Sequence, residues 1–280
     1  MLRFINAARG ALSACYEEDH FSLPRWQVYM AGISPALPGK VMEDAAGYDF
    51  RRQILPVLRY VYEHPHLEME ASENFDRLSV DLPQRLDRMP GNRPDADIIF
   101  YLGLCNGAGW ATKMDGRACV LLGVEKIVEL HWHGRDDMFG LIAHELGHLW
   151  HDQQTGRKLT AGTQKERSLL RLYDEGMAMA YEQLLMGNDH FFHQDKGGWL
   201  SRCRRKEETL KADYMGRVMS GESTDCFFGD WQYVEDISDA GYYLGSRFIH
   251  HLLKTKSLER TAALSMKEIE GLFVDWVSVG

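Results

Sequence analysis

Two histidines and a glutamate near the middle of the chain have the spacing of a metal site. They belong to the pentapeptide His144-Glu145-Leu146-Gly147-His148, an H-E-x-x-H motif. In a helix, residues i and i+4 lie on one face, so both imidazoles can reach one ion. The glutamate lies beside them and can act on a water at that ion. The spacing predicts a zinc site with His144 and His148 as ligands and Glu145 as general base.

A catalytic zinc ion usually has three protein ligands and a water, so one more ligand is needed. The metzincin pattern puts a histidine six residues after the second one, and that position is Gln154 here. His151 lies two turns from His144, about 10 Å along the helix axis, which is too far to share its metal. A ligand from another part of the chain is therefore expected.

A glutamate in a later apolar stretch is the best third ligand. Glu175 lies 27 residues after His148, and Gly176 beside it would allow another helix to approach closely. We expect a His/His/Glu ligand set. Two acids, Asp152 and Asp174, could each accept a hydrogen bond that fixes an imidazole tautomer, and the sequence does not choose between them.

Apolar residues at helical spacing surround both parts of this site. A helix is predicted over 136–154, with Asp136 or Asp137 as its cap. A second long helix is predicted over 165–186 and a last amphipathic one over 239–253. The ligands are therefore expected on two helices.

Two strand-like runs precede the first of these helices, at 98–102 and 118–124. The second resembles a hairpin partner or a sheet edge, which could pair with an extended peptide. An ordinary buried strand is the alternative, because its alternation is poor.

The distribution of proline and of strand-like runs predicts three parts. All eight prolines lie in the first 95 residues, so 1–95 is predicted to be a helical accessory lobe. The sheet and the active-site helix follow over 96–155. A helical lobe over 156–280 carries the third ligand.

Two motifs, within roughly 96–255, resemble a known group of enzymes. The H-E-x-x-H motif followed by a Glu175-Gly176-Met177-Ala178 helix resembles the gluzincin clan of zinc peptidases. The sequence is most similar to a bacterial family described as predicted zinc-dependent proteases. Met179 departs from the clan's thermolysin branch, which has an aspartate there. The Gly-Ala-Met-Glu-Asn strand of the aminopeptidases is also missing, so aminopeptidase activity is not implied.

A later helix is similar to the Tyr-x-x-G helix of the aminopeptidase branch, in which the tyrosine stabilises the oxyanion. Tyr242 lies three residues before Gly245 and takes this role in the comparison; Tyr243 is the fallback. The resemblance implies an α+β, zincin-like fold, with a small, mostly antiparallel sheet packed on the active-site helix between helical lobes. It also implies a zinc metallopeptidase that acts on a peptide or protein.

Two other functions stay open. One is a non-catalytic gluzincin-like module that binds a partner, although it would not need the general base Glu145. The other is a hydrolase of a non-peptide amide or ester. The sequence gives no expectation of the oligomeric state.

Composition narrows the class of protein further. The formal net charge of -9 argues against a nucleic-acid partner, because phosphate contacts need a concentrated basic face. The sequence contains no run of about 18 apolar residues, so no membrane-spanning helix is expected. Five widely spread cysteines, an odd number, argue against a disulfide framework and favour a reducing, cytoplasmic compartment.

Overall fold

The computed structural model describes residues 1–156 and 159–278. It is a mixed fold, 61% helical with a small sheet. The predicted α+β class is therefore confirmed. Among the described residues, no helix is both long and apolar enough to cross a membrane.

The chain forms two compact units. Unit 1 contains Met1–Arg88 and Arg93–Glu145, and unit 2 contains Met89–Asn92 and Leu146–Gly280. The division into parts at residues 95 and 155 stays a prediction.

Unit 1 combines the sheet with helices of 5 to 22 residues. Its strands are β1 (Arg3–Asn6), β2 (Tyr16–Glu17), β3 (His20–Phe21), β4 (Asp97–Tyr101), β5 (Gly109–Met114) and β6 (Arg117–Gly123). Its helices are α1 (Ala11–Cys15), α2 (Leu23–Ile33), α3 (Leu37–Asp44), α4 (Leu55–Glu63), α5 (Pro65–Leu86) and α6 (Val124–Glu129). Helix α7 (Arg135–Thr155) begins in unit 1 and continues without interruption into unit 2.

The main sheet has the strand order β1-β4-β6-β5. Strands β1 and β4 pair in parallel, as do β4 and β6, whereas β5 and β6 form an antiparallel hairpin. The prediction of a mostly antiparallel sheet is wrong, because the hairpin returns β6 to the side of β4 in the same direction. β1, from the predicted helical lobe, adds the second parallel pair.

Of the alternatives for 118–124, the sheet edge is wrong, whereas the hairpin partner and the buried strand are confirmed. This segment is the interior strand β6, buried from Cys119 to Gly123, and the edge beside it is β5. A strand covered on both faces reads as a continuous apolar run, which explains the poor alternation of the sequence. The hairpin partner of β6 lies before it in the chain, at 109–114.

Salt bridges tie three strands together at one end of this sheet. Asp97 at the start of β4 accepts hydrogen bonds from Arg3 Nε at 2.7 Å and Arg117 Nε at 2.6 Å. The hydrogen bond from Arg3 is the main cause that lowers the pKa of Asp97; that from Arg117 acts in the same direction and partial burial opposes both. The strand Arg3–Asn6 is thus held to β4 by charge as well as by backbone pairing.

Unit 2 is helical. Its helices after α7 are α8 (Gln164–Met186), α9 (Trp199–Arg205), α10 (Glu207–Ser220), α11 (Ala240–Leu253), α12 (Leu258–Ala262) and α13 (Met266–Ser278). The predicted helices at 136–154, 165–186 and 239–253 are confirmed as α7, α8 and α11. The prediction that Asp136 or Asp137 caps α7 is wrong, because the helix already begins at Arg135. Both acids lie in its first turn, near the positive end of the helix dipole.

Helix α8 has defined signals at both ends. Thr163 and Glu166 form a capping box, in which each side chain bonds the backbone of the other residue. At the other end Gly187 adopts a left-handed conformation (φ 68°), as helix C-caps commonly require. The long helix that carries Glu175 is therefore fixed at both termini by its own sequence.

Candidate metal centre

Helices α7 and α8 bring the three predicted ligands together. One ligand atom each of His144, His148 and Glu175 lies within 4.8 Å of the others. Nε2 of His148 is 3.3 Å from Oε2 of Glu175. In a tetrahedral zinc site with bonds of about 2.0–2.1 Å, ligand atoms are about 3.4 Å apart. The donor set and its spacing fit zinc, with the fourth position left for a water or a substrate oxygen.

The three candidate ligands differ in exposure. His144 is 3% exposed, whereas the side chains of His148 and Glu175 are 26% and 16% exposed. Burial of one imidazole beside two partly exposed ligands leaves one side of the group accessible to a small molecule. A site that is open on one side is the arrangement of catalytic rather than structural zinc.

The glycine of the H-E-x-x-H motif explains how α8 comes so close to α7. A β-carbon on Gly147 would lie 2.9 Å from Cα of Ala178 and 3.0 Å from Cβ of Tyr181. Real β-carbons essentially never come closer than 3.0 Å, so only glycine permits this crossing. The crossing lies one helical turn from Glu175 and thereby sets the distance from that carboxylate to the histidines.

A second close crossing fixes α8 against α11. A β-carbon on Gly176 would lie 2.4 Å from the carbonyl oxygen of Gly245, and one on Gly245 would lie 2.7 Å from the carbonyl oxygen of Leu172. The sequence predicted that Gly176 would allow a close approach. The partner it approaches is the glycine of the Tyr-x-x-G motif.

The predicted general base lies against the sheet. Glu145 is 6% exposed, and a β-carbon on Gly109 would lie 3.0 Å from its Cγ. The same β-carbon on Gly109 would lie 3.0 Å from Cδ1 of Leu141. Strand β5, at the edge of the described sheet, therefore begins in contact with the helix turn that carries Glu145.

His151 lies outside the ligand group, as the helical spacing predicted. Its Nε2 is 3.1 Å from the carbonyl oxygen of Ala262, so that nitrogen carries the proton, because a carbonyl can only accept. Its Nδ1 is 3.5 Å from Oδ1 of Asp174. Burial lowers the pKa of His151 and favours the neutral ring. Of the two candidate acids, Asp174 therefore lies near a histidine, and that histidine is not a ligand.

The two neighbouring tyrosines of α11 have different surroundings. Tyr243 donates a hydrogen bond to the carboxylate of Glu207, and burial is the main cause that raises its pKa. The ring of Tyr242 meets that of Phe228 edge-on, with centroids 5.7 Å apart. The hydroxyl of Tyr243 thus bonds Glu207, and Tyr242 stays the first candidate for the oxyanion donor because of its place in the Tyr-x-x-G motif.

A cleft of about 340 Å³ opens beside the ligands. His148 and Glu175 line it together with Asp174, Arg167 and Arg171. Neither arginine was among the residues predicted for the site. Their signal was present in the sequence, because they precede Glu175 by four and eight residues and so share its face of the helix.

Comparison with protein-family models, with curated proteins and with solved structures finds no match to this chain. The functional interpretation therefore depends on the geometry of the site and on the motifs.

Proposed function

We propose that this protein is a zinc-dependent hydrolase of the gluzincin type, and specifically a peptidase. The observation that carries the proposal is the convergence of His144, His148 and Glu175 on one point, with ligand atoms within 4.8 Å. A group of three such donors on two helices, next to a glutamate, is the constellation that zinc-assisted hydrolysis uses.

Zinc bound there would supply Lewis-acid chemistry, polarising the substrate carbonyl and lowering the pKa of a water. Glu145 accepts a proton from the attacking water and then passes it to the leaving amine. Tyr242 donates a hydrogen bond to the oxyanion that develops on the carbonyl. Burial of Glu145 against β5 limits the positions its carboxylate can adopt.

Three features support catalysis rather than a purely structural ion. The ligand set has three protein donors instead of four, two of them partly exposed. The motif contains Glu145, which is not a ligand and which a purely structural zinc site would not need. A cleft that is open to solvent lies beside His148 and Glu175, so a substrate can reach them.

The sheet supports a peptide as the substrate. Strand β5 is an edge strand of the described sheet and starts against the turn that carries Glu145. An extended peptide can pair with such an edge through backbone hydrogen bonds. We infer a zincin-like arrangement, in which the edge strand beside the active-site helix is β5.

The test is cleavage of a defined mixture of peptides by zinc-loaded protein, followed by mass spectrometry. Wild type is expected to cleave, and Glu145→Gln is expected to lose about 10²- to 10⁴-fold in rate while retaining zinc. No cleavage by zinc-loaded wild type would favour the non-catalytic module. Equal cleavage by both proteins would show that a contaminant, or another residue, is responsible.

A further inference from the structure

The cleft beside the ligands contains two arginines for which the hydrolytic mechanism has no use. Arg167 and Arg171 both line it with His148 and Glu175. We propose that these two arginines bind a carboxylate of the substrate, so that the enzyme selects acidic substrates. The carboxylate is either an acidic side chain or a free C-terminus near the scissile bond. This inference rests on the proposed hydrolase function.

The spacing on α8 sets the distance of that carboxylate from the reacting bond. Arg171 precedes Glu175 by one helical turn and Arg167 precedes it by two, so the three lie on one face about 6 Å apart along the axis. An extended peptide advances about 3.3 Å per residue. A carboxylate about two to four residues from the scissile bond can therefore reach a guanidinium.

The two guanidinium groups are held in position by neighbours. That of Arg171 lies over the ring of Phe228, 4.6 Å from its centroid, and its Nη1 is 3.7 Å from Oδ1 of the exposed Asp225. Nε and Nη2 of Arg167 donate to Oε1 of Gln164 at 3.1 and 3.0 Å. A guanidinium that lies over a ring keeps its planar set of N–H donors, which can bind a carboxylate through two parallel hydrogen bonds.

The charge of the cleft favours an anion once zinc is present. Asp174, Glu175 and the nearby Asp225 outnumber the two arginines by one charge, and a divalent ion would make this group of charges net positive. The chain as a whole has a formal net charge of -9, so this positive cleft stands out from its surroundings. A substrate with a free amino group would meet two like charges there.

Three hydroxamate-capped dipeptides test this site by calorimetry on zinc-loaded protein. They end in Ala-Ala amide, Ala-Ala carboxylate and Ala-Glu amide, so each charged probe represents one source of the carboxylate. At least one charged probe is expected to bind about 10-fold or more tightly than the neutral one. Arg171→Gln and Arg167→Gln are expected to reduce that preference, and the double variant to abolish it.

Arg205→Gln is the matched control, because it removes the same charge from the exposed end of α9. It is expected to keep the preference of wild type. Equal binding of the three probes to wild type, or a preference that survives in the double variant, would overturn the inference. Circular dichroism establishes that each variant is folded.

Failure of the metal site can be told apart from failure of this inference. If the chain takes up no zinc and the neutral hydroxamate does not bind, the proposed function fails. N-acetyl versions of the same dipeptides are then titrated into the metal-free chain. Without zinc the preference for a charged form is expected to be smaller but still present, because the guanidinium groups pair directly with a carboxylate. Equal affinities for the three forms overturn the inference.

Discussion

At the scale of single residues, the grouping of the three candidate ligands could be predicted from the sequence, whereas the surroundings of the two tyrosines could not. His144 and His148 follow from the i, i+4 geometry of one helix, and Glu175 from a carboxylate in an otherwise apolar one. Tyr243 donates to Glu207, which lies 36 residues before it. Sequence spacing carries no information about such a contact.

Replacement of the two tyrosines separates their roles. Tyr242→Phe is expected to lower kcat by about 10²- to 10³-fold with little change in KM, because it removes a donor to the transition state. Tyr243→Phe is expected to keep kcat and to lower the free energy of unfolding by about 1 kcal/mol, through loss of the bond to Glu207. Steady-state kinetics and urea unfolding measure both effects. A loss of kcat in Tyr243→Phe instead of in Tyr242→Phe would make Tyr243 the donor.

At the scale of elements, the helices were predictable because their signals are local. The capping box at Thr163 and the left-handed Gly187 are contained in the sequence of α8 itself. The sheet was less predictable, because β1 pairs with a strand more than 90 residues later. A pattern of short apolar runs does not contain the direction or order of such a pairing.

The close crossing of α7 and α8 predicts that Gly147 controls zinc affinity without binding the ion. Gly147→Ala would push α8 away, because its β-carbon meets the backbone of Ala178. We expect a loss of about 1–3 kcal/mol in the free energy of unfolding and weaker zinc binding. The measurements are urea unfolding and a competition titration with a zinc chelator.

Gly216→Ala is the control for helix propensity. Gly216 lies within α10 with no atom in the way of a β-carbon, so this change is expected to stabilise the protein by up to about 1 kcal/mol. Unchanged zinc affinity in Gly147→Ala would mean that the crossing does not set the ligand geometry.

The junction of β1, β4 and β6 predicts a pH-dependent contribution to stability. The pKa of Asp97 is lowered by its hydrogen bonds to Arg3 and Arg117, so its stabilising effect is complete above the ordinary pKa of about 4. That effect is lost as the pH falls through the lowered value. Asp97→Asn is expected to cost about 1–3 kcal/mol at pH 7 and less at pH 3. Urea unfolding at both pH values tests this, and an equal cost at both would contradict it.

At the scale of the whole molecule, α7 is the element that the two compact units share. The H-E-x-x-H motif lies where the units divide, between Glu145 and Leu146. No pattern in the sequence indicated this, because a helix that is periodic along its whole length gives no sign of which unit covers each turn. The N-terminal strand β1 was not predicted either, because its partner β4 lies more than 90 residues later in the chain.

Zinc that binds only the folded chain also stabilises it by mass action, by about 4 kcal/mol at a free concentration 1,000 times Kd. We therefore expect the thermal midpoint of wild type to fall when a chelator is added. A variant that lacks one of the zinc-ligating side chains, such as His148→Ala, should show no fall in thermal midpoint when the chelator is added.

The most direct test of the metal site is elemental analysis of proteins purified in parallel without added metal. Wild type and Glu145→Gln are expected to contain close to one zinc per chain, because Glu145 is not a ligand. His148→Ala and Glu175→Ala are expected to lose it while remaining folded. Full retention of zinc in Glu175→Ala, or no zinc in wild type even after reconstitution, would contradict the His144–His148–Glu175 site.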